Sequence, residues 1–162
     1  MRSMFKRCLG ATIAGTALLV VGPGAFGTAS ATNVLSDKVT FSAQLVPNGP
    51  GTFNLQNMSC SLVSDGEPTP FPCQVSGTFM QSAGTSSITT TVQSGDGTTT
   101  SGATLTFTGS SFLGKGRGTE QDAPDPGTPP QTYPCIAKYA GAISSSGVMS
   151  GTIKVKESTT AP

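Results

Sequence analysis

Apolar and polar side chains alternate along most of the chain. In residues 38–46 every second side chain is apolar, which is the period of a strand buried on one face. Seven further segments alternate in the same way, and no segment after residue 31 has the period of a helix. The second segment changes phase near Gln56 and Asn57, which predicts a β-bulge. The residues predicted to face inward are Val39, Phe41, Ala43 and Leu45; Phe53, Leu55, Met58, Cys60 and Leu62; Cys73, Val75, Gly77 and Phe79; Ile88, Thr90 and Val92; Ala103, Leu105 and Phe107; Phe112, Gly114, Gly116 and Gly118; Tyr133, Cys135, Ala137, Tyr139, Gly141 and Ile143; and Met149, Gly151, Ile153 and Val155.

Eight short strands separated by Gly, Pro, Asn and Asp turns predict an all-β domain. We expect an eight-stranded antiparallel up-and-down barrel over residues 32–162, with a two-sheet β-sandwich as the alternative that periodicity does not exclude. In an up-and-down order alternate loops lie at opposite ends of the barrel. The turns at one end are then uncharged, and the other end holds every acid of the domain: Asp37, Asp65, Glu67, Asp96, Glu120, Asp122, Asp125 and Glu157.

Residues 1–31 have the pattern of a secretory signal peptide. Arg2, Lys6 and Arg7 precede an apolar run that ends near Val21, and Ala29-Ser30-Ala31 is a small-residue cleavage pattern. The apolar run is too short and too interrupted by Gly and Thr for a transmembrane segment. The sequence therefore predicts cleavage after Ala31 and a secreted, extracellular protein.

Composition excludes several functions. Removal of residues 1–31 leaves 131 residues with 8 acids and 6 bases, a net charge of −2, which does not favour binding to nucleic acid. Ser and Thr together make up 39 of these residues. The chain has no His and no Trp, so it lacks the commonest general base and metal ligand. We therefore predict neither a metal site nor a cofactor.

Three cysteines remain after the predicted cleavage. Cys60 and Cys73 flank one predicted hairpin loop, so we expect a disulfide between them. The alternative is a bond between Cys73 and Cys135. Either pairing agrees with an oxidising compartment outside the cell.

Glycines on the predicted sixth strand suggest a ligand cavity. Gly114, Gly116 and Gly118 share its inner face and leave interior space there. A barrel of eight strands can hold one small ligand, so we predict a non-catalytic domain that binds a small apolar ligand or an extracellular protein, or serves at the cell surface. The aromatic residues predicted to line the cavity are Phe107, Phe112, Tyr133 and Tyr139.

Two other functions stay open. A barrel-type cyclase or isomerase could use Tyr133, Tyr139 or Glu120 as acid or base in an apolar cavity. A secreted protease inhibitor could present the proline-rich loop 122–134 as a rigid segment. The sequence leaves the oligomeric state open.

Overall fold

All regular structure in the described part of the chain is β-strand. The computed structural model describes residues 36–64, 69–95, 97–122 and 129–157. The predicted signal peptide, residues 1–31, lies outside the described residues. The strands are β1 (Ser36–Pro47), β2 (Thr52–Ser64), β3 (Phe71–Pro72), β4 (Gln74–Ser82), β5 (Thr85–Ser94), β6 (Gly97–Thr108), β7 (Ser111–Asp122), β8 (Thr132–Ile143) and β9 (Val148–Glu157).

Eight of these strands form a closed antiparallel barrel. Their order around the barrel is β1, β2, β4, β5, β6, β7, β8 and β9, and each pairs with the next along this order. Strand β1 closes the barrel because it pairs with β2 on one side and with β9 on the other. The predicted up-and-down barrel is confirmed, and the two-sheet sandwich is not the fold.

The remaining strand, β3, lies outside the barrel. Its residues Phe71 and Pro72 pair with Leu62 and Ser61 at the end of β2. The sequence analysis names Cys73 as the first inward-facing residue of its third segment and does not predict β3, and in the structure β4 starts one residue later, at Gln74. Proline has no backbone N–H to donate to a ladder, so the proline-rich segment before Cys73 pairs only briefly.

The predicted bulge is present in β2. Ser59 lies opposite Ser42 on β1, and Asn57 lies opposite Ala43, so Met58 is the extra residue between them. The sequence predicted that Met58 faces inward, and this is wrong because its side chain is 63% exposed. A bulge residue has no cross-strand partner, and the inward phase resumes only after it.

Side chains fill the barrel interior from all eight strands. The close approach of the β6 and β7 backbones requires Gly116, since a Cβ atom there would lie 1.6 Å from the carbonyl oxygen of Gly102. The buried apolar residues are Val39, Phe41, Ala43, Leu55, Leu62, Val75, Phe79, Ile88, Val92, Ala103, Leu105, Phe112, Cys135, Ala137, Tyr139, Met149, Ile153 and Val155.

Candidate functional site

The four aromatic residues predicted to line a cavity occupy three levels of the barrel. Phe107 and Phe112 face each other across the β6–β7 hairpin, with 5.8 Å between ring centroids, and Phe107 also contacts Phe79. Phe112 and Tyr139 are 1% and 2% exposed. Tyr133 is half-buried near the start of β8, and its hydroxyl donates to Gln131 Oε1. The structure thus brings Phe107 and Phe112 together and leaves Tyr133 at the far end of the barrel.

The Tyr139 side chain crosses the barrel interior. Its hydroxyl lies 2.8 Å from Thr90 Oγ1 on β5 and 2.6 Å from Ser101 Oγ on β6. Strand β7 lies between β8 and these strands, and Gly114 on β7 is the cross-strand partner of Tyr139. Burial raises the pKa of the Tyr139 hydroxyl, and the hydrogen bonds from Ser101 and Thr90 oppose this shift. The Tyr139 hydroxyl thus joins β8 to β5 and β6 inside the barrel.

A small cavity lies at the end of the barrel where the acids were predicted. Its volume is about 10 Å³, which is room for about one water molecule. Asp37 on β1 and Glu120 on β7 both line it, and Glu120 is 5% exposed. The predicted acids Asp65, Glu67, Asp96 and Asp125 lie outside the described residues, as do residues 123–128 of the proline-rich loop 122–134.

The predicted disulfide is confirmed. Cys60 on β2 and Cys73, directly before β4, are bonded to each other, with 5.1 Å between their Cα atoms. The alternative bond between Cys73 and Cys135 is therefore not formed. Cys135 lies in β8 and its side chain is buried in the core. The bond joins β2 to β4 beyond the point where their four-residue ladder, Thr52–Leu55 with Gly77–Met80, has ended.

The outer wall of the barrel carries a basic face that sequence reasoning missed. Lys115 on β7 pairs with Lys138 on β8, Lys138 with Lys154 on β9, and Lys154 with Lys38 on β1. We call these four residues the lysine row. Arg117 and Lys156 lie one outward-facing position along β7 and β9, and the row and these two residues together form the basic face.

The basic face holds every Lys and Arg of the described residues. All six side chains are exposed, and they lie on four neighbouring strands, β7, β8, β9 and β1. In the described part of these four strands, all remaining outward-facing residues are uncharged, and none of them is aromatic. The sequence signal was present, since each of these bases alternates with the inward-facing residues of its strand.

A groove of about 520 Å³ lies on the same wall and is open to solvent. Two neighbouring cross-strand rows line it. One row is Thr104, Lys115, Lys138 and Lys154, and the next is Thr106, Leu113, Ala140 and Thr152.

No protein family, curated protein or solved structure matches this chain. Within residues 36–64, 69–95, 97–122 and 129–157, no group of three or more His, Cys, Asp or Glu side chains is placed to hold a metal ion. The same residues include no helix long and apolar enough to cross a membrane. The chemistry of the barrel's own surfaces is therefore the basis for assigning a function.

Proposed function

We propose that this protein is an exported, non-catalytic binding domain that holds an anionic ligand on the outer wall of its barrel. The observation that carries the proposal is the basic face. A cluster of like charges focuses an electrostatic potential and attracts ligands of the opposite charge. The domain after the predicted cleavage site has more acids than bases. An excess of bases therefore does not explain why every Lys and Arg among the described residues lies on the same four strands.

The packing of the barrel interior supports the outer wall as the binding surface. Tyr139 is buried, and Thr90 and Ser101 satisfy its hydroxyl. A small apolar ligand at that level of the barrel would have to displace the ring and break both buried hydrogen bonds of its hydroxyl. The same burial argues against Tyr139 as an acid or base, because a catalytic group must reach its substrate.

Export is supported by two independent features. The N-terminal segment has the charge and hydropathy pattern of a signal peptide. The disulfide between Cys60 and Cys73 is of a kind that persists in oxidising compartments.

Binding of a sulfated polymer tests the proposal. The protein is expressed from the full chain, and its affinity for dextran sulfate is measured by calorimetry at several salt concentrations. We expect binding that weakens as salt increases. The variant Lys138→Gln removes a charge from the centre of the row, and we expect a loss of about two- to fivefold at low salt.

The matched control is Thr89→Glu on β5. Thr89 is exposed on a strand that carries no base, and this substitution lowers the net charge by the same single unit. The proposal requires Lys138→Gln to weaken binding more than Thr89→Glu. Equal effects would show that dextran sulfate responds only to net charge, and absence of binding would also contradict the proposal.

A further inference from the structure

The lysine row places like charges directly opposite one another three times in succession. Cross-strand partners have Cβ atoms about 4.5–5.5 Å apart, and like charges at this separation destabilise a sheet. Thr104 on β6 lies opposite Lys115 at one end of the row, and Val63 on β2 lies opposite Lys38 at the other. A locally unfavourable arrangement without a structural gain is expected where a site serves function rather than stability.

The row is also linear and regular. Neighbouring strands lie about 4.8 Å apart, so four lysines on four strands extend over about 14 Å. A ligand that neutralises all four must carry negative charges repeatedly along one line. A linear polymer with one charge in each unit has this property, and a single small anion does not.

The groove supplies the other half of the recognition chemistry. Its second row offers hydroxyl groups from Thr106 and Thr152, the low methyl group of Ala140, and Leu113, which is 66% exposed. Hydroxyl groups can exchange hydrogen bonds with sugar hydroxyls, and an exposed apolar side chain can cover the C–H face of a sugar ring. Charge therefore lies along one side of the groove, and neutral contacts lie along the other.

We infer that the ligand of the basic face is a linear acidic polysaccharide. The sugars of this polysaccharide are uronates, whose carboxylate groups lie on the lysine row and whose rings lie in the groove. The inference rests on the proposed function and names the ligand class. Each sugar ring advances such a chain by a distance comparable to the separation of two strands, so successive charges meet successive lysines.

Other polyanions fit the wall less well. Single-stranded nucleic acid is bound by stacking its bases on aromatic side chains, and the outer positions of the four strands in the described residues include none. A lipid surface is bound by inserting a broad apolar surface, and here the two exposed large apolar side chains beside the row, Leu113 on β7 and Val63 on β2, lie at its opposite ends.

Calorimetry with oligouronates, from the dimer to the hexamer, tests the inference on protein expressed from the full chain. We expect the affinity to increase with length until the oligomer has about four residues and spans the row, and then to level off. The methyl-esterified hexamer has the same sugars without charge, and it should not bind. Short-chain polyphosphate and anionic phospholipid vesicles are the comparison ligands.

Variants in the two rows separate charge from ring recognition. Lys138→Gln should weaken uronate and polyphosphate alike. Ala140→Leu should raise the groove floor, weaken uronate at least about fivefold and leave polyphosphate unchanged. Thr152→Val, which keeps the side-chain shape, should weaken only uronate and serves if Ala140→Leu melts below the parent protein.

The outcomes distinguish the two proposals. Binding of polyphosphate or vesicles without binding of any oligouronate would overturn the polysaccharide inference and leave the anion-binding function standing. The polysaccharide inference would also be overturned if neither Ala140→Leu nor Thr152→Val changed the affinity for oligouronates. The same holds if the affinity did not increase from the dimer to the tetramer. Failure of every anionic probe, dextran sulfate included, would refute the proposed function itself.

Discussion

Removal of the Tyr139 hydroxyl tests the buried polar cluster that fills the middle of the barrel. The hydroxyl makes two hydrogen bonds, at 2.8 Å to Thr90 and 2.6 Å to Ser101, and these residues are 0% and 3% exposed. A typical hydrogen bond contributes about 1 kcal/mol net, so Tyr139→Phe should lower the free energy of unfolding by about 2 kcal/mol. Thr90 and Ser101 are cross-strand partners, and a new bond between them would reduce the loss toward about 1 kcal/mol.

Urea unfolding followed by far-ultraviolet circular dichroism measures this change. Tyrosine fluorescence is unsuitable because the substitution removes one of only two tyrosines, and the chain has no tryptophan. A loss of about 2 kcal/mol corresponds to a midpoint lower by about 1 M urea, with the slope unchanged.

A thermodynamic cycle identifies the cause of the loss. In the background Thr90→Val with Ser101→Ala, the tyrosine hydroxyl has lost both partners, and Tyr139→Phe should then be neutral or stabilising. An equal loss in both backgrounds would refute the hydrogen-bond explanation. It would show that the cost comes from altered packing of the ring.

Three further predictions concern the disulfide, Gly116 and the Tyr139 hydroxyl. Replacing Cys60 and Cys73 together by Ser should lower the free energy of unfolding by about 3 kcal/mol, because the bond closes a loop between cysteines 13 positions apart. Calorimetric melting measures this change, and an unchanged melting temperature would contradict the prediction. Gly116→Ala should cost more than about 3 kcal/mol or prevent folding, whereas Gly95→Ala, where a Cβ meets nothing within 4 Å, should change stability by less than about 0.5 kcal/mol. Burial raises the pKa of Tyr139 in the folded state, so the unfolded chain releases this proton first and the free energy of unfolding should decrease above about pH 10. Urea midpoints measured between neutral pH and pH 11 should decrease less in Tyr139→Phe than in the parent protein. Parallel curves for the two proteins would contradict the attribution of this pH dependence to Tyr139.

The sequence predicted the barrel because its strands have one buried face. Alternation of apolar and polar residues over eight segments specified the number of strands, and short turns specified the pairing of neighbours. The disulfide followed from the symmetric placement of Cys60 and Cys73 about one loop. A strict period of two assumes that every residue has a cross-strand partner, and Met58 in the bulge has none on β1. The phase change in β2 was therefore predicted near the right position, but Met58 was placed on the wrong face.

The basic face could be predicted only from the register between neighbouring strands, and the sequence alone does not give this register. Lys115, Lys138, Lys154 and Lys38 are far apart in the chain, and a shift of two residues in any ladder would have separated them. The net charge also concealed the face, because it counts inward-facing acids such as Glu120 together with outward-facing bases. Periodicity placed Tyr139 on the inner side of the barrel, but it did not identify Thr90 and Ser101 as the partners of the Tyr139 hydroxyl.

The pairing of the first strand with the last has a consequence for how the chain can be reconnected. Ser36 lies opposite Lys156, so the two ends of the described barrel are neighbours. A short linker could join them, and the chain could instead be opened in the uncharged turn 144–147 without changing any ladder. Such a circular permutant would begin with β9 and end with β8. The fold thus depends on the cyclic order of the strands around the barrel, and it does not depend on which of these strands comes first in the chain.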